Sequence, residues 1–341
     1  MLRLPAFSVL APNTLSDALA LLAEDTENTA VLAGGTDLLP NLKRRLSTPK
    51  RLLSLRQLHE LKQIEVSDTE LRIGSAVRLC EVAAHPVIRE EAVALVQAIE
   101  QLATIQIRNT ATLGGNLCLD TRCEYFNQSE LWRQAIGYCK KKLGDVCWVA
   151  TSSPRCLAVS SSDTAPALAA LGARVTLAAV QSEREEPLSN FYQNDGAQPL
   201  LRRPEELLVG IRVPRKKDRR STYWKLRRRG SFDFPLLGVA CAVQFSDENL
   251  VSEVRLFLGA VSSQPLWVDR APALLCGRPL LDDQITRTAL AAQAVAKPMA
   301  HADMTVSYRK TMVKPLVELA LREVRGDDVR AERQRFLHLG L

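Results

Sequence analysis

Four cysteines in one short segment are the residues of this chain best suited to bind a metal. They are Cys123, Cys139, Cys147 and Cys156, with the spacing C-x15-C-x7-C-x8-C, in a chain of 341 residues and eight cysteines. Thiolates are preferred ligands of zinc and of iron–sulfur clusters. The spacing matches neither the C-x2-C pairs of zinc ribbons nor the C-x2-C-x2-C run of bacterial ferredoxins. Spacing alone therefore leaves open a metal site and a set of separate buried thiols.

Two glycine-containing segments precede the cysteines and could bind phosphate groups. The first is Leu32–Leu38 (LAGGTDL), directly after a predicted strand, and the second is Thr112–Asn116 (TLGGN). Paired glycines can adopt positive φ and bring the backbone close to a ligand. Successive N–H groups in such a turn form a nest, a concave site for an anion. The chain has neither a G-x-G-x-x-G nor a G-x-x-x-x-G-K-[ST] motif, so a Rossmann or P-loop site is not predicted. Each segment alone is also typical of an ordinary tight turn.

Composition limits the classes of function. The net charge is +7, from 45 Lys and Arg against 38 Asp and Glu, and no DNA- or RNA-binding motif accompanies the basic runs, so no nucleic-acid partner is predicted. No apolar run reaches the ~20 residues that cross a bilayer. Eight cysteines without a secretory leader favour a reducing compartment, the cytoplasm. The four histidines show no ligand-pair spacing, and no residue set predicts acid–base catalysis, so no catalytic residue is assigned.

Hydrophobic periodicity predicts a mixed fold in which the order of elements changes along the chain. Residues 119–161 show no regular period. Four strands are predicted in succession, at Leu207–Val213, Thr222–Leu226, Leu237–Phe245 and Glu253–Val261, followed by helices at 281–296 and 307–323. Strands followed by helices indicate a separate α+β domain, whose start we place between Pro214 and Arg220, in the basic run 215–220.

Five motifs in a fixed order resemble a known family. They are AGGTDLLPNLK (33–43), IRNTATLGGNL (107–117), SSDTAPALAALGA (161–173), Lys225 with SFDFPLLGVA (231–240), and SYRK (307–310). This succession resembles the FAD-binding medium subunit of the xanthine dehydrogenase and CO dehydrogenase family of molybdenum hydroxylases. The resemblance implies an α+β fold: a two-lobed FAD-binding domain of the p-cresol methylhydroxylase and vanillyl-alcohol oxidase type, then a C-terminal sheet with a helical bundle, as in CO dehydrogenase flavoprotein subunits.

The cysteine-bearing segment resembles one branch of that family. In most members the Gly-Gly-Asn and Ser-Asp-x-x-Pro segments are only a few residues apart, whereas here 45 residues intervene, Leu117 to Ser161. The sequences GGNLCLDTRCEYFNQSELWR, GYCKKKLGDVC and SPRC are similar to the insertion in the beta subunit of 4-hydroxybenzoyl-CoA reductase. The resemblance implies a 4Fe-4S cluster on the four cysteines. Cys118, a fifth thiol nearby, is interpreted first as a packing residue and second as a ligand.

The same resemblance implies the domain limits and the flavin site. The FAD-binding domain would be residues 1–215 (N lobe 1–56, middle lobe 57–215, cluster insertion 117–161), the C-terminal domain 216–325 and the tail 326–341. FAD contacts carry over to Leu32, Ala33, Gly34, Gly35, Thr36, Asp37, Leu38, Thr112, Leu113, Gly114, Gly115, Asn116, Asp163 and Lys225. Both glycine segments would hold the pyrophosphate, and Asp163 a cofactor hydroxyl.

The resemblance also implies partners and a reaction. Electrons would pass from ferredoxin through the 4Fe-4S cluster and FAD to a 2Fe-2S small subunit and a molybdopterin-binding large subunit, in a dimer of heterotrimers that reduces 4-hydroxybenzoyl-CoA to benzoyl-CoA. The run Lys140–Lys142 could steer an acidic ferredoxin toward the cluster. Two alternatives stay open: the same subunit in another aryl-CoA or N-heterocycle hydroxylase, and a zinc-stapled scaffold protein without redox function.

Overall fold

The computed structural model describes residues 3–230, 232–301 and 303–338, and their side chains as far as residue 336. Residues 1, 2, 231, 302 and 339–341 lie outside the described residues; they belong to the predicted N lobe, the SFDFPLLGVA motif, the C-terminal domain and the tail. The predicted domain limits stay predictions. Among the described residues, no helix combines the length and apolar character that a membrane span requires.

The N-terminal part is a small parallel sheet with two helices. Its strands pair in the order β1-β3-β2. The elements are β1 (Ser8–Leu10), α1 (Leu15–Glu24), β2 (Thr29–Leu32), α2 (Leu38–Lys43) and β3 (Arg51–Ser54). The hydroxyl of Thr14 accepts from the N–H of Asp17 at 3.1 Å, which satisfies a free donor at the start of α1. Strand β2 ends at the first glycine segment, so this sheet places that segment at the carboxyl edge of a strand.

The middle part is a five-stranded antiparallel sheet in the order β4-β5-β8-β6-β7. Its strands are β4 (Ile64–Val66), β5 (Glu70–Gly74), β6 (Arg174–Ala179), β7 (Ser182–Pro187) and β8 (Leu207–Pro214). Its helices are α3 (Leu79–Ala84), α4 (Pro86–Glu91), α5 (Val93–Glu100), α6 (Ile105–Arg108), α7 (Leu113–Leu117), α8 (Glu130–Ala135) and α9 (Thr164–Ala170). Strand β8 pairs with β5 and β6. It thus lies in the middle sheet, before the predicted start of the C-terminal domain.

The C-terminal part is an antiparallel sheet in the order β12-β11-β10-β9, covered by helices. The elements are β9 (Arg219–Leu226), β10 (Leu237–Phe245), β11 (Val251–Gly259), β12 (Leu266–Trp267), α10 (Ala271–Leu275), α11 (Asp282–Val295), α12 (Val306–Thr311), α13 (Val313–Arg325) and α14 (Arg330–His338). The fourth strand is the short β12. Helix α13 ends at Gly326, whose φ of 112° is accessible to glycine at little cost.

The C-terminal sheet is buried on both faces. Tyr223 and Ala240 pack into the core of the middle part, whereas Trp224 and Cys241 pack into the core beneath α11 and α13. Successive side chains of a strand point to opposite faces. Lys225 therefore shares the face of Tyr223, toward the middle part and α9.

Candidate functional site

The two glycine segments touch each other. A Cβ on Gly34 would lie 2.3 Å from the carbonyl oxygen of Thr110, two residues before the second segment, so only glycine allows this approach. Gly35 has a φ of +71°, which an L side chain rarely adopts. The structure therefore brings together two segments that the sequence separates by three strands and several helices.

The first segment presents unused backbone donors. Within the described part of the chain, the N–H groups of Gly34, Gly35 and Thr36 donate to no protein acceptor. Buried or half-buried N–H groups are normally paired, and successive free ones form the nest described above. The local geometry therefore fits an anion such as a diphosphate.

Most of the backbone N–H groups of the second segment, in contrast, already donate to acceptors within the protein. The predicted loop is instead the start of α7, capped by Thr112, whose Oγ1 accepts from the N–H of Gly115 at 3.1 Å. The N–H groups of Leu113 and Gly114 donate to the carbonyl oxygens of Val77 and Ser75 at 3.0 and 2.9 Å. The prediction that this segment also holds a pyrophosphate stays a prediction, but its glycines already serve packing: a Cβ on Gly114 would lie 2.6 Å from that of Ser75.

Both segments open onto one cavity of about 540 Å³. Most of the residues predicted for the flavin line it: Ala33, Gly34, Gly35, Thr36, Asp37, Leu38, Thr112, Gly114, Gly115, Asn116 and Asp163. Leu32, Leu113 and Lys225 are not part of the lining. Within the described part of the chain, three lining side chains carry a buried polar atom without a partner, namely Asn41 Oδ1, Ser75 Oγ and Ser161 Oγ. Such orphaned atoms on a cavity wall indicate a polar occupant.

Lys225 lies behind the cavity wall and holds Asp163. Its ammonium is 2.9 Å from Asp163 Oδ2 and 3.1 Å from the carbonyl oxygen of Gln101, and the hydroxyl of Tyr223 donates to Asp163 Oδ1 at 2.7 Å. Burial raises the pKa of Asp163, and the Lys225 ammonium opposes that shift. Lys225 thus positions Asp163 at the cavity wall.

Residues that the sequence analysis missed complete the wall. Arg122 forms an ion pair with Asp37, and its guanidinium lies 4.5 Å from the centroid of the Phe234 ring. Burial raises the pKa of Asp37, while Arg122 opposes that shift. Arg229 and Phe232 also line the cavity. The position of Phe232 and Phe234 within the SFDFPLLGVA motif was the one signal in the sequence that pointed to this region.

The four predicted cysteine ligands lie together in the insertion. Cys123, Cys139, Cys147 and Cys156 are buried and line one small cavity of about 10 Å³, room for about one water molecule. Burial raises the pKa of the Cys123 and Cys156 thiols to about 11. Among the described residues, no group of three or more His, Cys, Asp or Glu side chains has an arrangement suited to a metal ion. Cys118 lines the large cavity instead.

The middle lysine of the run Lys140–Lys142 is buried. The side chain of Lys141 is only 4% exposed; its ammonium lies 2.7 Å from Asp120 Oδ1 and 2.6 Å from the carbonyl oxygen of Gly196. Lys142 donates to the carbonyl oxygen of Arg45 and Lys140 to that of Pro154. That this run steers a ferredoxin stays a prediction, but the Lys141 ammonium is engaged within the fold of the insertion.

Comparisons with known proteins agree with this architecture. The family described as the FAD binding domain in molybdopterin dehydrogenase matches residues 5–216, and the CO dehydrogenase flavoprotein C-terminal domain matches residues 221–324. The aldehyde oxidoreductase FAD-binding subunit PaoB of Escherichia coli is 34% identical over 79% of this chain and 86% of that protein. The nicotinate dehydrogenase FAD-subunit of Eubacterium barkeri is 27% identical over 90% of this chain and 92% of that protein.

Solved structures share the fold. The CO dehydrogenase of Hydrogenophaga pseudoflava is similar with a TM-score of 0.76 and 24% identity, over 94% of this chain and 97% of that chain. A Cu,Mo-CO dehydrogenase is similar with a TM-score of 0.78 and 23% identity, over 95% of this chain and 99% of that chain. The predicted fold class, an FAD-binding domain followed by a CO dehydrogenase flavoprotein-like domain, is confirmed.

Proposed function

Because this chain belongs to the family of FAD-binding medium subunits of the molybdenum hydroxylases, we propose that it is an electron-transfer subunit that binds FAD and a 4Fe-4S cluster. When bound, the flavin and the cluster supply electron-transfer chemistry that no side chain of this chain can provide. The contribution of the protein is to bind both groups, orient them and keep water away from them.

The observation that carries the flavin proposal is the first glycine segment, with its three free N–H groups on the wall of a 540 Å³ cavity. That volume is within the range of about 300–1,000 Å³ that is typical of cofactor sites. We propose that Gly34, Gly35 and Thr36 bind the pyrophosphate, and that Asp163, held by Lys225, accepts a hydrogen bond from a cofactor hydroxyl.

Donor chemistry supports the cluster proposal. Four buried thiols in a 45-residue insertion form a soft ligand set, and the nearby ammonium of Lys141 would compensate negative charge on thiolates. A metal bound by four side chains would further fix the shape of an insertion without regular period. The cavity that the four thiols line is small, so cluster binding would require the insertion to rearrange.

For the reaction, we propose the reductive dehydroxylation of 4-hydroxybenzoyl-CoA to benzoyl-CoA, in anaerobic aromatic degradation. The support is the similarity of the insertion to that of the beta subunit of 4-hydroxybenzoyl-CoA reductase. The partners would be a molybdopterin-binding large subunit and a 2Fe-2S small subunit, in a dimer of heterotrimers, with ferredoxin as electron donor in the cytoplasm. Because Lys141 is buried, a ferredoxin would meet at most the ammonium groups of Lys140 and Lys142 in this run.

One comparison favours a second reaction. The Escherichia coli relative, at 34% identity, is named as a subunit of an aldehyde oxidoreductase. This chain could therefore carry electrons out of an aldehyde-oxidising centre rather than into a reducing one. The substrate pocket would lie in the large subunit in either case, so this chain determines the electron path and not the substrate.

Cofactor analysis tests the proposal. The full chain, prepared anaerobically, should contain about one FAD, with about four iron and four labile sulfide, the stoichiometry of a 4Fe-4S cluster, and its visible spectrum should bleach with dithionite. A yellow protein with zinc and no sulfide would overturn the cluster assignment, and a colourless one would overturn both. The purified complex should then reduce 4-hydroxybenzoyl-CoA with reduced ferredoxin; oxidation of aldehydes alone would support the second reaction.

A further inference from the structure

We propose that Arg122, a residue of the cysteine-bearing insertion, binds the phosphates of FAD, so that the insertion completes the flavin site. This inference rests on the proposed flavin site. It gives the insertion a second task beside that of its thiols.

The backbone of Arg122 is fixed next to the thiols. Arg122 and Val159 exchange two backbone hydrogen bonds of 2.8 Å each, and Arg122 directly precedes Cys123. These two hydrogen bonds fix the backbone of Arg122 and therefore the direction in which its side chain points. That side chain is 18% exposed and reaches the wall of the large cavity, which it shares with Gly34 and Thr36.

The guanidinium has donors to spare. One nitrogen, Nη2, donates to Asp37, while Nε and Nη1 donate to no protein acceptor within the described residues. A guanidinium carries five N–H donors in a planar fork, and it can therefore serve a carboxylate and a phosphate together. The ring of Phe234 covers its face and restricts its motion.

The negative charge of Asp37 favours a cation next to the bound phosphates. Asp37 lies within the nest segment, where a diphosphate with two or more negative charges would bind, and two like charges at close range in a poorly solvated site repel strongly. Arg122 pairs with this carboxylate and lines the same cavity as the nest, so it lowers the repulsion between protein and ligand.

Other arginines on the wall are less suited. Arg229 is paired with Asp233 at 3.2 Å, and Nη1 of Arg202 donates to three carbonyl oxygens, those of Arg203, Pro204 and Glu206. Arg44 lies at the end of α2 and is exposed. Within the cavity lining, Arg122 thus combines shielding from solvent, a carboxylate partner in the nest segment and free donors.

The test measures FAD affinity of the flavin-stripped full chain by quenching of flavin fluorescence. Arg122→Gln should weaken FAD binding about tenfold or more, because a hydrogen bond to a charged group is worth roughly 1.5–3 kcal/mol. Arg155→Gln is the matched control: Arg155 also directly precedes a cysteine of the set, Cys156, but it is exposed and forms no ion pair among the described residues. This control should bind FAD like the parent chain.

A double variant separates ligand binding from simple neutralisation. If Arg122 contacts the phosphates, Asp37→Asn combined with Arg122→Gln stays weaker than Asp37→Asn alone. Recovery of parental affinity in the double variant, or parental affinity in Arg122→Gln, would overturn the inference. Circular dichroism and the melting temperature of each flavin-free variant establish that it is folded. If the parent chain itself binds no FAD, the proposed function fails instead.

Discussion

Gly34 lies against Thr110 so closely that a Cβ on Gly34 would be 2.3 Å from the Thr110 carbonyl oxygen. This contact holds the free N–H groups of the first segment beside α7 and defines one edge of the large cavity. Because a backbone carbonyl cannot move aside as the end of a flexible side chain can, the contact requires glycine.

Substitution Gly34→Ala should therefore abolish FAD binding and lower the free energy of unfolding by about 1–3 kcal/mol, the usual cost of overpacking. The measurements are flavin content after purification and chemical denaturation. Gly210→Ala is the control, since its Cβ would meet nothing closer than Thr176 Oγ1 at 3.7 Å. Full flavin content in Gly34→Ala would contradict the proposal that the first glycine segment binds the pyrophosphate.

Replacement of any one of Cys123, Cys139, Cys147 and Cys156 by serine should lower iron and labile sulfide to a small fraction of the parental values, because serine is a poor ligand for iron–sulfur clusters compared with a thiolate. Iron and sulfide assays on anaerobic preparations test this. Cys276→Ser, at a half-buried cysteine of the C-terminal part, should retain both. Parental sulfide in all four variants would remove the cluster from this chain.

Lys141→Met should destabilise the insertion, because Asp120, Thr121 and the Gly196 carbonyl lose a buried donor; a lost hydrogen bond to a charged group costs roughly 1.5–3 kcal/mol. If the cluster is present, loss of this positive charge should also lower its reduction potential. Lys140→Met is the control, since Lys140 is half-buried and donates to a single carbonyl, that of Pro154. Urea denaturation and a redox titration should show the larger change for Lys141; equal effects would show that burial of Lys141 has no consequence.

His301 should make the protein sensitive to acid. It is 2% exposed, neither ring nitrogen has a partner among the described residues, and burial next to Arg309 lowers the pKa of His301 to about 3. A histidine whose pKa is depressed by folding contributes full stability above its unfolded pKa, and this stability is lost as the pH falls toward the folded value.

Between pH 7 and pH 5, the parent chain should therefore lose roughly 2 kcal/mol through His301, from the linkage relation with an unfolded pKa of about 6.5. His301→Leu should lose less over the same interval. Denaturant unfolding at the two pH values provides the comparison; parallel losses in both proteins would show that His301 is not buried as a neutral ring.

The local hydrophobic pattern was sufficient to predict many of the helices and strands. The strands at Leu237–Phe245 and Glu253–Val261 correspond to β10 and β11, and the helical pattern at 307–323 corresponds to α12 and α13. These elements could be predicted because burial imposes a period of two on strands and 3.6 on helices. The second glycine segment differed: its Thr112 cap opens a five-residue helix, which is too short to show a hydrophobic period.

The hydrophobic pattern of the sequence does not show which strands pair with each other. Strand β8 precedes β9 directly in the chain, yet it pairs between β5 and β6 in the middle sheet. A strand that is apolar enough to be buried fits either sheet, and the choice depends on packing against distant residues.

From the amino-acid order alone came the glycine pairs, the set of four thiols and the family that they resemble, because these are local residue types at recognisable spacings. The folded chain was needed to learn that Gly34 meets Thr110, that Lys225 stands behind Asp163, that the Lys141 ammonium is buried and that Arg122 reaches Asp37. Each of these contacts joins residues far apart in sequence. Their formation is a property of how sheets and helices pack, which a linear pattern does not contain.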